Sequence, residues 1–120
     1  FTEPELTLFT TGVDTVLNDL EIQIGLDSWP EEVYWRVEDA NGNIVMEGSP
    51  NHQPFEGEFT GMTGTLIFKK CNLPSGNYQF VIHDDYEDGG TSVVLILNGN
   101  QIGSIGASSY GGSAFFDFSI

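Results

Sequence analysis

The chain has 120 residues and a formal net charge of -15, with 18 Asp and Glu against 3 Lys and Arg. So few cations cannot neutralise a phosphate backbone or an anionic leaflet, which excludes nucleic acid and acidic membrane surfaces as partners. Hydrophobic residues make up 39%, and 9 Phe, 4 Tyr and 2 Trp can fill a core, so the chain reads as one folded domain over 1–120 rather than a disordered acidic segment.

In chain order, a first strand is expected at Leu6–Thr10, followed by a short helical turn at Asp14–Leu20. Leu20–Leu26 alternates apolar and polar residues, as does Val33–Asp39, where Val33, Trp35 and Val37 form the inward set. Period-2 alternation puts one set of side chains on a buried face and the other outward. Further strands are expected at Asn43–Glu47, Glu56–Phe59, Thr65–Lys69, Asn77–His83, Ser92–Leu97 and Phe115–Ile120, with a short tenth at Gln101–Ile105. Val93–Leu97 is continuously apolar, as a strand covered on both faces would be. Asn41-Gly42 and Asn98-Gly99 separate apolar runs and suit hairpins with positive φ. Many short strands with Gly and Pro between them predict an all-β fold, a two-sheet antiparallel sandwich of jelly-roll type, with a barrel as the alternative. No apolar run approaches the ~20 residues needed to cross a bilayer, so membrane insertion is not expected. A chain beginning at Phe1 is expected to be a fragment or a processed product. Cys71 is the only cysteine, which rules out a disulfide within the chain, and a lone cysteine of this kind is expected to pack as a small hydrophobe.

Carboxylates cluster in His83-Asp84-Asp85-Tyr86-Glu87-Asp88-Gly89-Gly90, directly after an expected strand. Acids this dense repel unless solvent or a cation relieves them, and Ca²⁺ takes about six to eight oxygen ligands. Asp84, Asp88 and Gly89 fit the first, fifth and sixth positions of an EF-hand loop, but Tyr86 and Leu95 break the pattern and no helices flank it. A second acidic turn, Asp27-Ser28-Trp29-Pro30-Glu31-Glu32, joins two alternating strands. If both turns share one tip of the sandwich, Asp27, Glu32, Asp84 and Asp88 converge into an oxygen cage for a divalent ion. The competing reading is a solvated acidic loop, with Asp27 and Glu32 capping turn amides. Trp29, Tyr86 and Tyr110 fall in or near loops, where aromatic rings can stack on sugars; Trp35 is expected in the core.

Catalytic signatures are sparse. His52 and His83 lack zinc-ligand spacing, Cys71 has no neighbouring His, and no G-x-S-x-G elbow occurs. The glycines near Gly103 and Gly111 have no adjacent Lys and read as hairpin residues rather than a phosphate loop. Paired carboxylates for glycoside hydrolysis are the one enzymatic arrangement left, and they are defined by separation in space.

Two segments carry a family resemblance. Asp27-Ser28-Trp29-Pro30-Glu31-Glu32-Val33-Tyr34-Trp35 has the form D-x-[YW]-P-x-E-x-x-W. Leu73-Pro74-Ser75-Gly76-Asn77-Tyr78 and onward to Asp84-Asp85-Tyr86-Glu87-Asp88-Gly89 has the form L-x-x-G-x-Y-x-F-x-I-x-D-x-Y-x-D-G. From about Leu20 to Ile120 the chain resembles secreted, non-catalytic β-sandwich modules of stramenopile algae, diatoms included, and of marine bacteria. Such modules are often attached to peptidases, glycoside hydrolases or cell-surface proteins. The resemblance implies extracellular or cell-surface use, a larger parent protein, and weight on Asp27, Glu32, Asp84 and Asp88. Relatives often carry a second Cys where this chain has Asn77, and a Gly where it has Glu87, so here the implied disulfide is lost and the acidic loop is less permissive. The expected function is a calcium-binding module that holds glycan or cell-wall polymer. The alternative is an acidic structural or adhesive module that meets a basic partner or self-associates through Ca²⁺.

Overall fold

A computed structural model describes residues 18–120. Eight strands run as β1 (Leu20–Gly25), β2 (Val33–Asp39), β3 (Ile44–Gly48), β4 (Thr65–Lys70), β5 (Asn77–Asp84), β6 (Ser92–Leu97), β7 (Asn100–Ile105) and β8 (Ser113–Ser119). They form two four-stranded sheets, ordered β4-β1-β6-β7 and β3-β2-β5-β8, and every pairing within them is antiparallel. The fold is the expected two-sheet β-sandwich, and its sheets stay separate rather than closing into a barrel.

The alternation seen in the sequence is the packing code. Leu20, Ile22 and Ile24 of β1 and Val93 and Leu95 of β6 point inward from one sheet. Val33, Trp35 and Val37 of β2 and Tyr78, Phe80 and Ile82 of β5 meet them from the other. Trp35 stacks on Phe80 at 5.7 Å between ring centroids and takes Phe68 edge-on at 5.0 Å, geometries that aromatic quadrupoles favour. The continuous apolar run of β6 is not covered equally on both faces: Val93 and Leu95 are buried, while Val94 and Ile96 are half-buried.

Turn chemistry explains the hairpins. Asn98 and Gly99 both have positive φ, 51° and 82°, which is the type I′ requirement. At Asn41-Gly42 only Gly42 is left-handed. There the turn is held by Asp39, whose Oδ1 accepts the backbone N–H groups of Asn41 and Asn43 at 2.9 Å each. Those bonds hold the Asp39 carboxyl below its ordinary range.

Two expectations are corrected and a third is met. Glu56–Phe59 is not a strand: residues 49–63 form a chain of turns that Pro54, Gly57 and Gly61 interrupt too often for a ladder to form. Cys71 is exposed rather than packed, because it follows the last residue of β4 at the sandwich edge. The tenth strand expected at Gln101–Ile105 is present as β7. The strand expected at Leu6–Thr10 lies outside the described residues. So does most of the Asp14–Leu20 turn, of which Leu20 opens β1.

Phe80 is fully buried between the sheets, so Phe80→Ala is expected to cost roughly 3–5 kcal/mol in a denaturant titration. Phe115, 61% exposed on the outer face of β8, is expected to stay within about 0.5 kcal/mol of the parent when changed to Ala.

Candidate metal centre

The pairing of β2 with β5 builds the site. Val33, the first residue of β2, lies opposite Asp84, the last residue of β5. The residue before β2 and the residue ending β5 are therefore neighbours at one tip of the sandwich. Pro30 pre-sets the backbone of a 3-10 turn, Pro30–Glu32, and the Glu32 N–H donates to Trp29 O at 3.2 Å. Asp85 N–H donates to Glu32 O at 2.9 Å, extending the β2–β5 ladder past its last pair. On β5 the inward set Phe80 and Ile82 continues to Asp84, so alternation itself drives a carboxylate into the end of the core.

Glu32 and Asp84 are 7% and 3% exposed, and both count among the buried charged residues. Asp88, from the β5–β6 loop, is exposed. One oxygen from each of Glu32, Asp84 and Asp88 lies within 4.8 Å of the other two. Ca²⁺ holds its oxygens at about 2.3–2.6 Å, so small shifts of these side chains would let one ion touch all three, and the trio could hold a metal ion.

Asp84 Oδ1 accepts the Tyr86 N–H at 3.0 Å. Its Oδ2 is buried with no hydrogen-bond partner among the described residues. Burial pushes the Glu32 carboxyl up to about 7, with the negative charges of Asp84, Asp88 and Asp27 adding to the rise. Burial raises Asp84 as well, and the nearby negative charge of Asp88 adds to the rise. Ionised carboxylates have only acceptors to offer each other, so a proton, a cation or water donors from the adjoining cavity have to stand between them.

Asp27 reaches the same tip but is not one of the trio. Its Oδ1 accepts the Trp29 N–H at 2.8 Å, which is the turn-capping role, and its Oδ2 rests against Gly90, where any side chain would collide with it. Gly90 has φ +97°, so the Gly89-Gly90 pair lets the β5–β6 loop fold onto Asp27. Trp29 and Tyr86 line a cavity of about 240 Å³ together with Glu32 and Asp88. Tyr110, expected as a ligand-stacking ring, is half-buried instead. Its hydroxyl donates to Thr91 O at 2.7 Å, and burial holds it un-ionised up to about 12.

The segment 49–63 was not singled out from sequence, yet it clamps both acidic turns. Gly57 N–H donates to Glu31 O at 2.9 Å, beside Glu32. Asp85 Oδ2 takes the Phe55 N–H at 2.8 Å and pairs with His52 Nε2 at 2.6 Å, beside Asp84. The signal for this was weak, since contacts between distant loops leave no periodic trace. A larger groove of about 530 Å³ lies at the opposite end, along Asp39, Tyr78 and Phe118, and none of the unpartnered buried polar atoms lines it.

Fold and site together define an acidic two-sheet β-sandwich with a three-carboxylate tip. No family model, curated protein or solved structure matches the chain.

Two outcomes follow for the metal-free protein. Glu32 is raised from 4.5 to about 7, so the folded state binds its proton more tightly than the unfolded chain does. Stability is then greatest below about pH 4.5 as far as Glu32 is concerned, and is lost as pH rises through about 7. Melting scans in chelator are expected to show a midpoint that falls across that interval, with Asp84 acting in the same direction. Glu87 sits at φ +62°, a left-handed conformation that costs a non-glycine residue roughly 1–2 kcal/mol. Glu87→Gly is expected to raise stability by about 1 kcal/mol, read as a melting midpoint a few degrees higher.

Proposed function

We propose that the protein is a non-catalytic, calcium-binding β-sandwich module of extracellular or cell-surface use, whose ion joins the two acidic turns and whose tip presents aromatic rings to a glycan or cell-wall polymer. One observation carries the metal half: Asp84 Oδ2, buried and without a hydrogen-bond partner among the described residues, beside the carboxyls of Glu32 and Asp88. An all-oxygen, all-carboxylate donor set suits a hard cation and not zinc, which prefers nitrogen and sulfur. Ca²⁺ tolerates the irregular geometry of two turns better than Mg²⁺, which demands a near-ideal octahedron. Outside cells, sites of about 10⁻⁴–10⁻³ M are in use, so modest affinity is sufficient. The exposed rings of Trp29 and Tyr86 beside the trio support the glycan half.

Glycoside hydrolysis by the same acids is disfavoured because an ion shared by Glu32, Asp84 and Asp88 leaves none of the three free to act as proton donor. The acidic adhesive reading draws support from the net charge of -15; binding to a polycation would then weaken steeply as salt rises.

Calcium at about 100 times its Kd is expected to add about 2.7 kcal/mol, a rise in melting midpoint of roughly 10 °C. An unchanged midpoint in calcium and in chelator would remove the metal. Asp84→Asn is expected to act with opposite signs in the two buffers. Relief of carboxylate repulsion raises the midpoint in chelator, and loss of a ligand erases the calcium-dependent gain. Terbium should bind in place of calcium and luminesce on excitation of Trp29.

A further inference from the structure

We propose that the ligand of this tip is a neutral sugar or polyol that coordinates the ion directly through a pair of adjacent hydroxyls while its apolar face lies on Trp29 or Tyr86. The inference rests on the calcium reading above and deepens it by naming the ligand's chemical class and the way it is held.

Coordination is the first argument. Three carboxylates supply about three to six oxygens, and Ca²⁺ takes about six to eight. Asp84 and Glu32 are buried and close the inner side of the site. Asp88 is exposed, and with Glu32 it lines the cavity of about 240 Å³ that Trp29 and Tyr86 wall. The unfilled positions of the ion therefore open onto that cavity. Whatever fills it meets the ion at one end and an aromatic ring at the side. Adjacent hydroxyls on a pyranose offer two oxygens at a spacing one ion can accept, and the ring's C–H face offers the apolar surface.

The aromatic rings are the second argument. Trp29 is 57% exposed and Tyr86 66% exposed. The Trp29 backbone is fixed by the bond to Asp27 Oδ1 and by the following Pro30. Tyr86 is braced edge-on by Phe55 at 6.2 Å between centroids. These rings are presented on restrained turns rather than left on a mobile tail, so little ordering is lost when a ligand lands on them.

Charge selects within the sugars. A divalent ion leaves the trio with residual negative charge, Asp27 adds to it, and the chain as a whole carries -15. A uronate or a sulfated sugar meets repulsion at this tip, whereas hydroxyl groups bring no charge. A polyamine or basic peptide would compete with the ion for the carboxylates instead of binding through it.

The test follows the Trp29 indole signal by NMR on the whole chain. The probes are methyl α-D-mannopyranoside, methyl β-D-galactopyranoside and D-galacturonate, each in calcium and in chelator. The expected result is a saturable shift with at least one neutral glycoside in calcium, no shift with it in chelator, and no shift with galacturonate in either buffer. Trp29→Ala, followed through the backbone amide signals of Tyr86 and Asp88, should weaken glycoside binding by roughly tenfold, while calorimetry shows calcium affinity within about twofold of the parent. Glycoside binding that persists in chelator, or galacturonate binding as tight as the neutral probes, overturns the proposal. Calcium heats without a response to any glycoside also overturn it and leave the calcium site standing. Absence of calcium heats removes both readings.

Discussion

A carboxylate at an inward position of a sandwich strand is the constraint on which the tip of this molecule depends. Asp84 ends β5 on the same face as Phe80 and Ile82, where the next residue of the pattern would ordinarily be apolar. An ionised group taken out of water needs a partner of opposite charge or a proton. The ionisable groups clustered with the Asp84 carboxyl are themselves acids, Glu32 and Asp88. Two like charges about 4.8 Å apart repel by roughly 3–4 kcal/mol at an effective dielectric of about 20, and Glu32 and Asp84 are that close or closer. The strain has two ways out. Protonation is the metal-free solution, the direction in which burial pushes both Glu32 and Asp84. A divalent ion is the other, and it uses the same oxygens without protonation.

The fold is organised to hold that strained group in place. The β2–β5 ladder puts Glu32 and Asp84 side by side through its register. The Gly89-Gly90 turn brings Asp88 back over them and lays the loop against Asp27 and Tyr110. Residues 49–63 then bind Glu31 and Asp85, one step along the chain from each buried acid. Positioning is therefore covalent neighbours plus backbone hydrogen bonds, a rigid arrangement for a site made on turns. Trp29 and Tyr86 belong to those same two turns, which is why the aromatic wall and the carboxylates share one cavity.

Much of this was legible in the sequence. Alternation at Leu20–Leu26, Val33–Asp39 and Asn77–His83 predicts the sheets because side-chain direction in a strand has a period of two and the core is apolar. The same rule, carried one step past His83, places Asp84 inside; that step is where the chemistry lies. Asp27 illustrates the limit. Its residue type and position suggest a ligand, but an Asp two residues before a free N–H caps that N–H, and Trp29 supplies one. Tyr110 misleads in a similar way, since a loop tyrosine whose hydroxyl can reach a backbone carbonyl is drawn into the fold. The 49–63 clamp was illegible because its contacts, such as His52 with Asp85 and Gly57 with Glu31, join segments far apart in the chain and follow no repeat. Glu56–Phe59 has little β propensity of its own, and Gly57 within it and Pro54 before it leave no room for a ladder.

The most direct measurement is diffraction from crystals grown with calcium or strontium, read for anomalous signal at the tip. The account predicts one peak bonded to an oxygen of each of Glu32, Asp84 and Asp88 at about 2.3–2.6 Å, with its remaining ligands on the side of Trp29 and Tyr86. A tip without that peak at saturating cation, with Glu32 and Asp84 hydrogen-bonded to each other through a proton, would contradict it.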